Sequence, residues 1–148
     1  LGNYNFLKIT KSIKSNIHKN LAILISTSGT TGESKFVKLT FENIIENTKS
    51  IQNYLNLNSF DVGITTLPIS YSYGLSVVNI HLFQDLKIVC NNNSIIEKTF
   101  WNSVKKFKVT NIAGVPFNFE ILDRLGLIDR NLCNIRFFTH HARMNSFK

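Results

Sequence analysis

Five short apolar runs rich in branched residues alternate along this chain with segments whose apolar residues recur every three or four positions, and that alternation restricts the fold more than any other feature. The runs are LAILIST from Leu21, DVGITTLPI from Asp61, LKIVC from Leu86, VTNIAGV from Val109 and NIRFFT from Asn134. Each has strand length, and Pro68 is expected to close the second because proline cannot donate to a ladder. Between the first two, Phe41, Ile44, Ile45, Thr48, Ile51, Tyr54 and Leu55 fall on one helical face. Thr40 is a suitable N-cap for that helix, and Asn56 and Asn58 are expected to end it. Residues 73–83 suit a largely apolar helix. Residues 95–107 suit another, with Phe100, Trp101, Val104 and Phe107 on one side, and 117–125 a last one begun at Pro116. Strands alternating with helices imply right-handed crossovers, and so an α/β fold: a mostly parallel sheet covered by helices, with LAILIST as a buried member. Ligands of such sheets sit beyond the carboxyl ends of strands, which places a site at the loop after LAILIST.

The 148 residues suffice for one core, since a domain of this size buries about 68–70% of its unfolded surface. No repeat and no Pro/Gly/Ser-rich linker divides them. Residues 1–20 are Lys- and Asn-rich and show no clear pattern. The first residue is Leu1 and no signal-like apolar stretch follows it, so the chain is expected to start within a longer protein. No apolar run reaches the roughly 20 residues of a membrane span. Cys90 and Cys133 lie far apart and without metal-ligand spacing, which suggests neither a disulfide framework nor a zinc site and points to a reducing cytoplasm. The net charge of +8 raises nucleic acid as a partner. The basic residues are dispersed, however, and not interleaved with aromatics, so they read as solvated surface and no nucleic acid is expected.

The chemistry is concentrated in STSGTTGESK, residues 26–35. Gly29 and Gly32 let backbone N–H groups approach an anion, Thr27, Ser28, Thr30 and Thr31 offer hydroxyl donors, and Lys35 supplies a positive charge. That composition suits polyphosphate. It is not the common phosphate loop, in which lysine follows the second glycine directly; here Lys35 lies three residues beyond Gly32.

The segment resembles the phosphate-binding motif T-S-G-[ST]-T-G-x-P-K-G of the adenylate-forming superfamily, which includes acyl-CoA synthetases, luciferases and adenylation domains of nonribosomal peptide synthetases. Thr27, Ser28, Gly29, Thr30, Thr31, Gly32 and Lys35 match, while Ser34 replaces proline and Phe36 replaces glycine. LPISYSYGL, residues 67–75, is similar to the family's L-P-x-x-H-x-x-G-L, with Gly74 matched and Tyr71 in the place often held by histidine. NIAGVPFNFEIL resembles the strand and helix joined by Val-Pro before the substrate pocket. NIRFFT resembles the strand leading to a glycine-rich turn, where this chain has His140, His141, Ala142 and Arg143 instead of small residues. The His pair has no further ligand at useful spacing, so no metal site is expected there.

The resemblance implies that residues 1–148 are part of the large N-terminal domain of such an enzyme, without its later motifs or its C-terminal domain. It implies ATP and Mg²⁺ as cofactors and a small carboxylic acid as substrate. The acid would be activated as an acyl-adenylate and then transferred to the thiol of CoA or of a carrier protein. Lys35 would be the catalytic contact to phosphate, Thr27, Ser28, Gly29, Thr30, Thr31 and Gly32 would join it around ATP, and Tyr71 and Gly74 would line the acid pocket. The alternative is a non-catalytic α/β remnant of such an enzyme.

Overall fold

The computed structural model describes residues 16–27, 35–126 and 134–140, together with the backbone of 143–145. Its elements are β1 (Leu21–Thr27), β2 (Lys35–Thr40), α1 (Phe41–Leu55), β3 (Val62–Ile64), α2 (Ser72–Phe83), β4 (Lys87–Val89), α3 (Lys98–Lys106), β5 (Asn111–Gly114), α4 (Pro116–Arg124), β6 (Phe137–His140) and β7 (Arg143–Asn145).

The α/β class is as expected. A five-stranded sheet has the order β4-β3-β5-β6-β7, with the first four strands parallel and β7 returning antiparallel to β6. The step from β3 to β4 runs opposite to the steps that lead on to β5 and β6. Right-handed crossovers therefore put α2 on one face and α3 and α4 on the other. On the α3/α4 face, Ile64, Ile112 and Phe138 from three neighbouring strands meet Phe100, Trp101 and Val104 of α3 and Leu122 of α4. Phe100 and Trp101 stack edge to face at 5.3 Å, and the Trp101 indole donates to the Ile95 carbonyl at 2.8 Å. Phe107, expected on the same apolar side, instead forms the C-cap of α3 and is 48% exposed, because the helix ends before its turn faces the core.

The apolar run from Leu21 is not a buried member of the parallel sheet. It forms a separate two-stranded antiparallel sheet with β2, in which Ile25 pairs with Val37 and Thr27 with Lys35. A short apolar run does not by itself distinguish a sheet-core strand from one arm of a hairpin. The second arm, KFVKLT, mixes lysines with apolar residues and leaves Phe36 and Val37 exposed, which a buried strand would not do. The loop after LAILIST is therefore a hairpin connection and not a strand-to-helix turn.

α1 begins and ends where its caps require. The Thr40 hydroxyl accepts from Asn43 N and the Asn43 side chain accepts from Thr40 N, each at 3.1 Å, a reciprocal capping box. Asn56 ends the helix in the left-handed region at φ 49°.

β3 stops at Ile64, well before Pro68, and threonine side chains stitch its end to its neighbours. Thr65 Oγ1 accepts from Asn91 N at 2.8 Å and donates to Asn91 O at 3.1 Å, while Thr66 Oγ1 donates to the Ala113 carbonyl. At the opposite end Asp61, 1% exposed, ties three strands together. Its carboxylate accepts from Thr110 Oγ1 at 2.7 Å, from Asn58 N at 2.8 Å and from the Arg136 guanidinium. Thr110 Oγ1 in turn accepts from Val62 N at 2.9 Å.

Candidate functional site

The hairpin determines where the polar motif lies. Thr27, the last residue of β1, is the cross-strand partner of Lys35, the first residue of β2, so the seven residues 28–34 connect the two arms. Ser28, Gly29, Thr30, Thr31 and Gly32 lie outside the described residues. Lys35 is exposed, as a contact to a polyphosphate requires.

Tyr71 and Gly74 sit at the start of α2. Tyr71 is its N-cap and 64% exposed, with its backbone N–H donating to Pro68 O at 3.0 Å. Gly74 is buried against the preceding turn, where a Cβ would stand 2.3 Å from the Pro68 carbonyl oxygen and 2.9 Å from that of Leu67. Only glycine lets the helix start so close to that backbone.

A cavity of about 310 Å³ opens one turn further along α2, between α1, α2 and the free face of β5 and β6. Tyr73, Thr139 and His140 stand at the end of the cavity nearest the strand C-termini, Ile51, Val77, Ile80 and Ala113 form its apolar middle, and His81 and Asn111 form its deep end. The Tyr73 hydroxyl donates to Thr139 Oγ1 at 2.9 Å, and burial pushes its pKa above the ordinary tyrosine value despite that bond. The ring of His140 lies 6.3 Å from that of Phe119.

His81 is 1% exposed. Its Nδ1 is 2.7 Å from the Val77 carbonyl oxygen, which can only accept, so the proton of the neutral ring is assigned to Nδ1 and Nε2 is left as an acceptor. Nε2 has no hydrogen-bond partner of good geometry among the described residues, although the Asn111 side chain is close enough to favour the protonated ring. Burial outweighs Asn111, the Val77 carbonyl and the Asp61 charge, and holds the His81 pKa below the ordinary 6.5.

Sequence reasoning reached the loop and the start of α2 but missed His81 and Asn111. Their signal was present: a histidine inside an otherwise apolar helix, and an asparagine opening the apolar strand NIAG. Among the described residues no group of three or more His, Cys, Asp or Glu side chains gathers to hold a metal ion. None of the described helices is long and apolar enough to cross a membrane.

The described residues thus form a parallel α/β sheet with helices on both faces and a separate two-stranded hairpin. The family model described as AMP-binding enzyme matches residues 7–145, and this chain belongs to that family. It is similar to the luciferin 4-monooxygenase of Nipponoluciola cruciata, 24% identical over 123 residues, covering 81% of this chain and 22% of the relative. It is similar also to the oxalate–CoA ligase of Saccharomyces cerevisiae, 29% identical over 97 residues, covering 66% and 18%. The o-succinylbenzoate CoA synthetase of Bacillus subtilis with a product analogue superposes with a TM-score of 0.70 at 28% identity, covering 80% of this chain and 24% of that one. The same synthetase with ATP and a magnesium ion gives 0.60 at 28% identity, covering 67% and 21%. The chain thus spans less than a quarter of the length of these relatives.

Proposed function

We propose that this chain forms the phosphate-loop and acid-pocket part of an enzyme that uses ATP to activate a small carboxylic acid as an acyl-adenylate, for transfer to the thiol of CoA or of a carrier protein. The reading rests above all on one observation: the matched motif spans the turn of a hairpin whose ends, Thr27 and Lys35, are cross-strand partners. In it, backbone N–H groups at Gly29 and Gly32 and the hydroxyls of Thr27, Ser28, Thr30 and Thr31 surround the phosphates, and Lys35 balances the charge that grows on the departing pyrophosphate. Tyr71 guards the entrance to the acid pocket from the exposed start of α2, and Gly74 lets that helix begin close enough to the Leu67–Pro68 turn to form a wall. The cavity beneath takes the acid's tail.

Bound with ATP, Mg²⁺ would neutralise charge on the leaving pyrophosphate. Magnesium is held largely by phosphate oxygens and water, so the phosphate donors this chain offers suit a magnesium–ATP complex. The cysteine usage fits a cytoplasmic setting.

Carboxylate-dependent exchange of labelled pyrophosphate into ATP tests the proposal. A full-length protein carrying this chain should catalyse exchange with at least one acid of a broad panel, and failure with every acid would overturn the reading. The short span relative to its relatives favours a second statement: the 148-residue chain alone behaves as a non-catalytic α/β unit.

A further inference from the structure

The polar side chains along the inner wall of the cavity are turned to partners within the protein. The Tyr73 hydroxyl donates to Thr139 Oγ1 at 2.9 Å, and the Ser76 hydroxyl donates to the Tyr73 carbonyl at 2.8 Å. His81 Nδ1 faces the Val77 carbonyl of its own helix at 2.7 Å. The opposite edge of the ring is seated on β3, where a Cβ at Gly63 would lie 2.4 Å from Nε2 and under 3 Å from two ring carbons. The cavity is walled by α1, α2, β5 and β6, so Nε2 is turned away from the space they enclose. Asn111 has the His81 ring on one side and Thr110 Oγ1 on the other, 3.4 Å from Nδ2. Whichever way round the amide stands, those neighbours take both its ends. What the space meets along its middle is hydrocarbon, from Ile51, Val77, Ile80 and Ala113.

The hairpin sets the direction of entry. Another cavity, of about 280 Å³, lies between Ile25 and Leu39 of the hairpin and the first halves of α1 and α2, and it shares Asn47, Ser72 and Ser76 with the first. The hairpin therefore stands at the Tyr73 end, and a carboxylate presented to ATP there would send its tail toward His81. His140 is level with Gly114, and Asn111 lies three residues back along β5, about 10 Å at the rise of a strand. An extended chain advances about 1.2 Å per bond, so about eight carbons span that depth. The far end is fixed. His81 and Asn111 are 1% and 6% exposed, the backbone of β3 at Gly63 stops the ring from retreating, and Thr110 backs the amide. We infer that His81, seated on Gly63, and Asn111 form a floor that limits the length of the acid, so that the pocket selects an unsubstituted straight-chain acid of about eight carbons. The inference rests on the adenylate-forming reading of the site.

The experiment follows pyrophosphate exchange by a full-length protein carrying this chain with straight-chain acids from acetate upward, and with the ω-hydroxy counterpart of the best of them. In the wild type kcat/KM should rise about fourfold for each added methylene, reach its maximum near about eight carbons and fall beyond about ten. The ω-hydroxy acid should be about tenfold worse than its parent, because its hydroxyl is buried without a partner. His81→Ala removes the floor and should move the maximum to longer acids. His81→Leu, which keeps bulk without the nitrogens, should leave the maximum in place. Ala113→Leu fills the middle of the cavity, level with Thr139, and should move the maximum to shorter acids. A wild-type maximum at acids of two to four carbons, a gain that continues to about fourteen, or equal or better exchange with the ω-hydroxy acid would overturn the inference and leave adenylate formation standing. So would a maximum unmoved in both alanine-81 and leucine-113 substitutions, or one lost in His81→Leu. No exchange with any acid would remove both readings together. The wild-type series needs no variant to fold.

Discussion

Gly63 is glycine because His81 occupies the space its side chain would fill: the Nε2 edge of the ring stands 2.4 Å from where a Cβ would be. Both residues are buried, so the clash can be relieved only by displacing the ring from its seat against β3 toward the cavity it lines. Gly63→Ala should therefore destabilise the chain by about 1–3 kcal/mol, the usual cost of overpacking. Gly74→Ala should cost at least as much, since its Cβ would meet the backbone carbonyl of Pro68, which cannot rotate away as a side chain can. Urea midpoints at constant slope would measure both. A Gly63→Ala midpoint equal to the wild type would contradict the packing described.

Arg136 is the only cationic side chain bonded to Asp61 among the described residues, and Asp61 is buried while the arginine side chain is 44% exposed. Removing the guanidinium leaves a carboxylate held only by Thr110 and the Asn58 backbone. Arg136→Met should cost about 2 kcal/mol, below the range for fully buried pairs because water already reaches the arginine. The double variant Arg136→Met, Asp61→Asn should recover part of that loss, and a double-mutant cycle would read the coupling.

Acid should weaken the fold in two steps. Burial holds the His81 pKa below 6.5, so between 6.5 and the folded value the unfolded chain binds more protons and stability falls as pH is lowered. For Asp61, burial alone would raise the pKa, but the bonds from Arg136, Asn58 and Thr110 and the arginine charge together hold it below 3.8. Its contribution is complete above 3.8 and is lost as pH falls through the lower folded value. In His81→Gln the first step should disappear and the second remain, as followed by urea unfolding across pH.

In a full-length protein carrying this chain, Lys35→Ala should slow pyrophosphate exchange by roughly ten- to a hundredfold without abolishing it. One charge-assisted bond to phosphate contributes about 1.5–3 kcal/mol, while the loop's other donors stay in place. The 148-residue chain alone should show almost no exchange, because positioning effects of about 7–11 kcal/mol arise only when every reacting group converges on bound ATP. Steady-state exchange rates would check both, and robust exchange by the isolated chain would refute the second.

The alternation of strands and helices was legible because its signals are local. Thr40 and Asn56 bracket α1 where capping chemistry predicts, and DVGITT, LKIVC, NIAG and RFFT carry the strands that became the parallel sheet. The partner of the first apolar run was not legible from that run, since Leu21 to Thr27 has the same composition whether it pairs with β2 or with β3. Phe36, Val37 and Lys38 held the needed information, in a mixed polar and apolar stretch easily read as part of a loop. His81 and Asn111 were missed for a different reason. They lie 30 positions apart, and only the register of β3 with β5 brings them together.

The two-sheet division bears on how such a chain tolerates change. Among the described residues, β1 and β2 share no backbone ladder with the five-stranded sheet. An insertion or deletion among residues 28–34 is thus absorbed as a slip between two strands or a longer turn, while the spacing of β3, β5 and β6 that shapes the cavity is untouched. The hairpin and the cavity can then drift apart under separate selective pressures, each adjusted without a compensating mutation in the other.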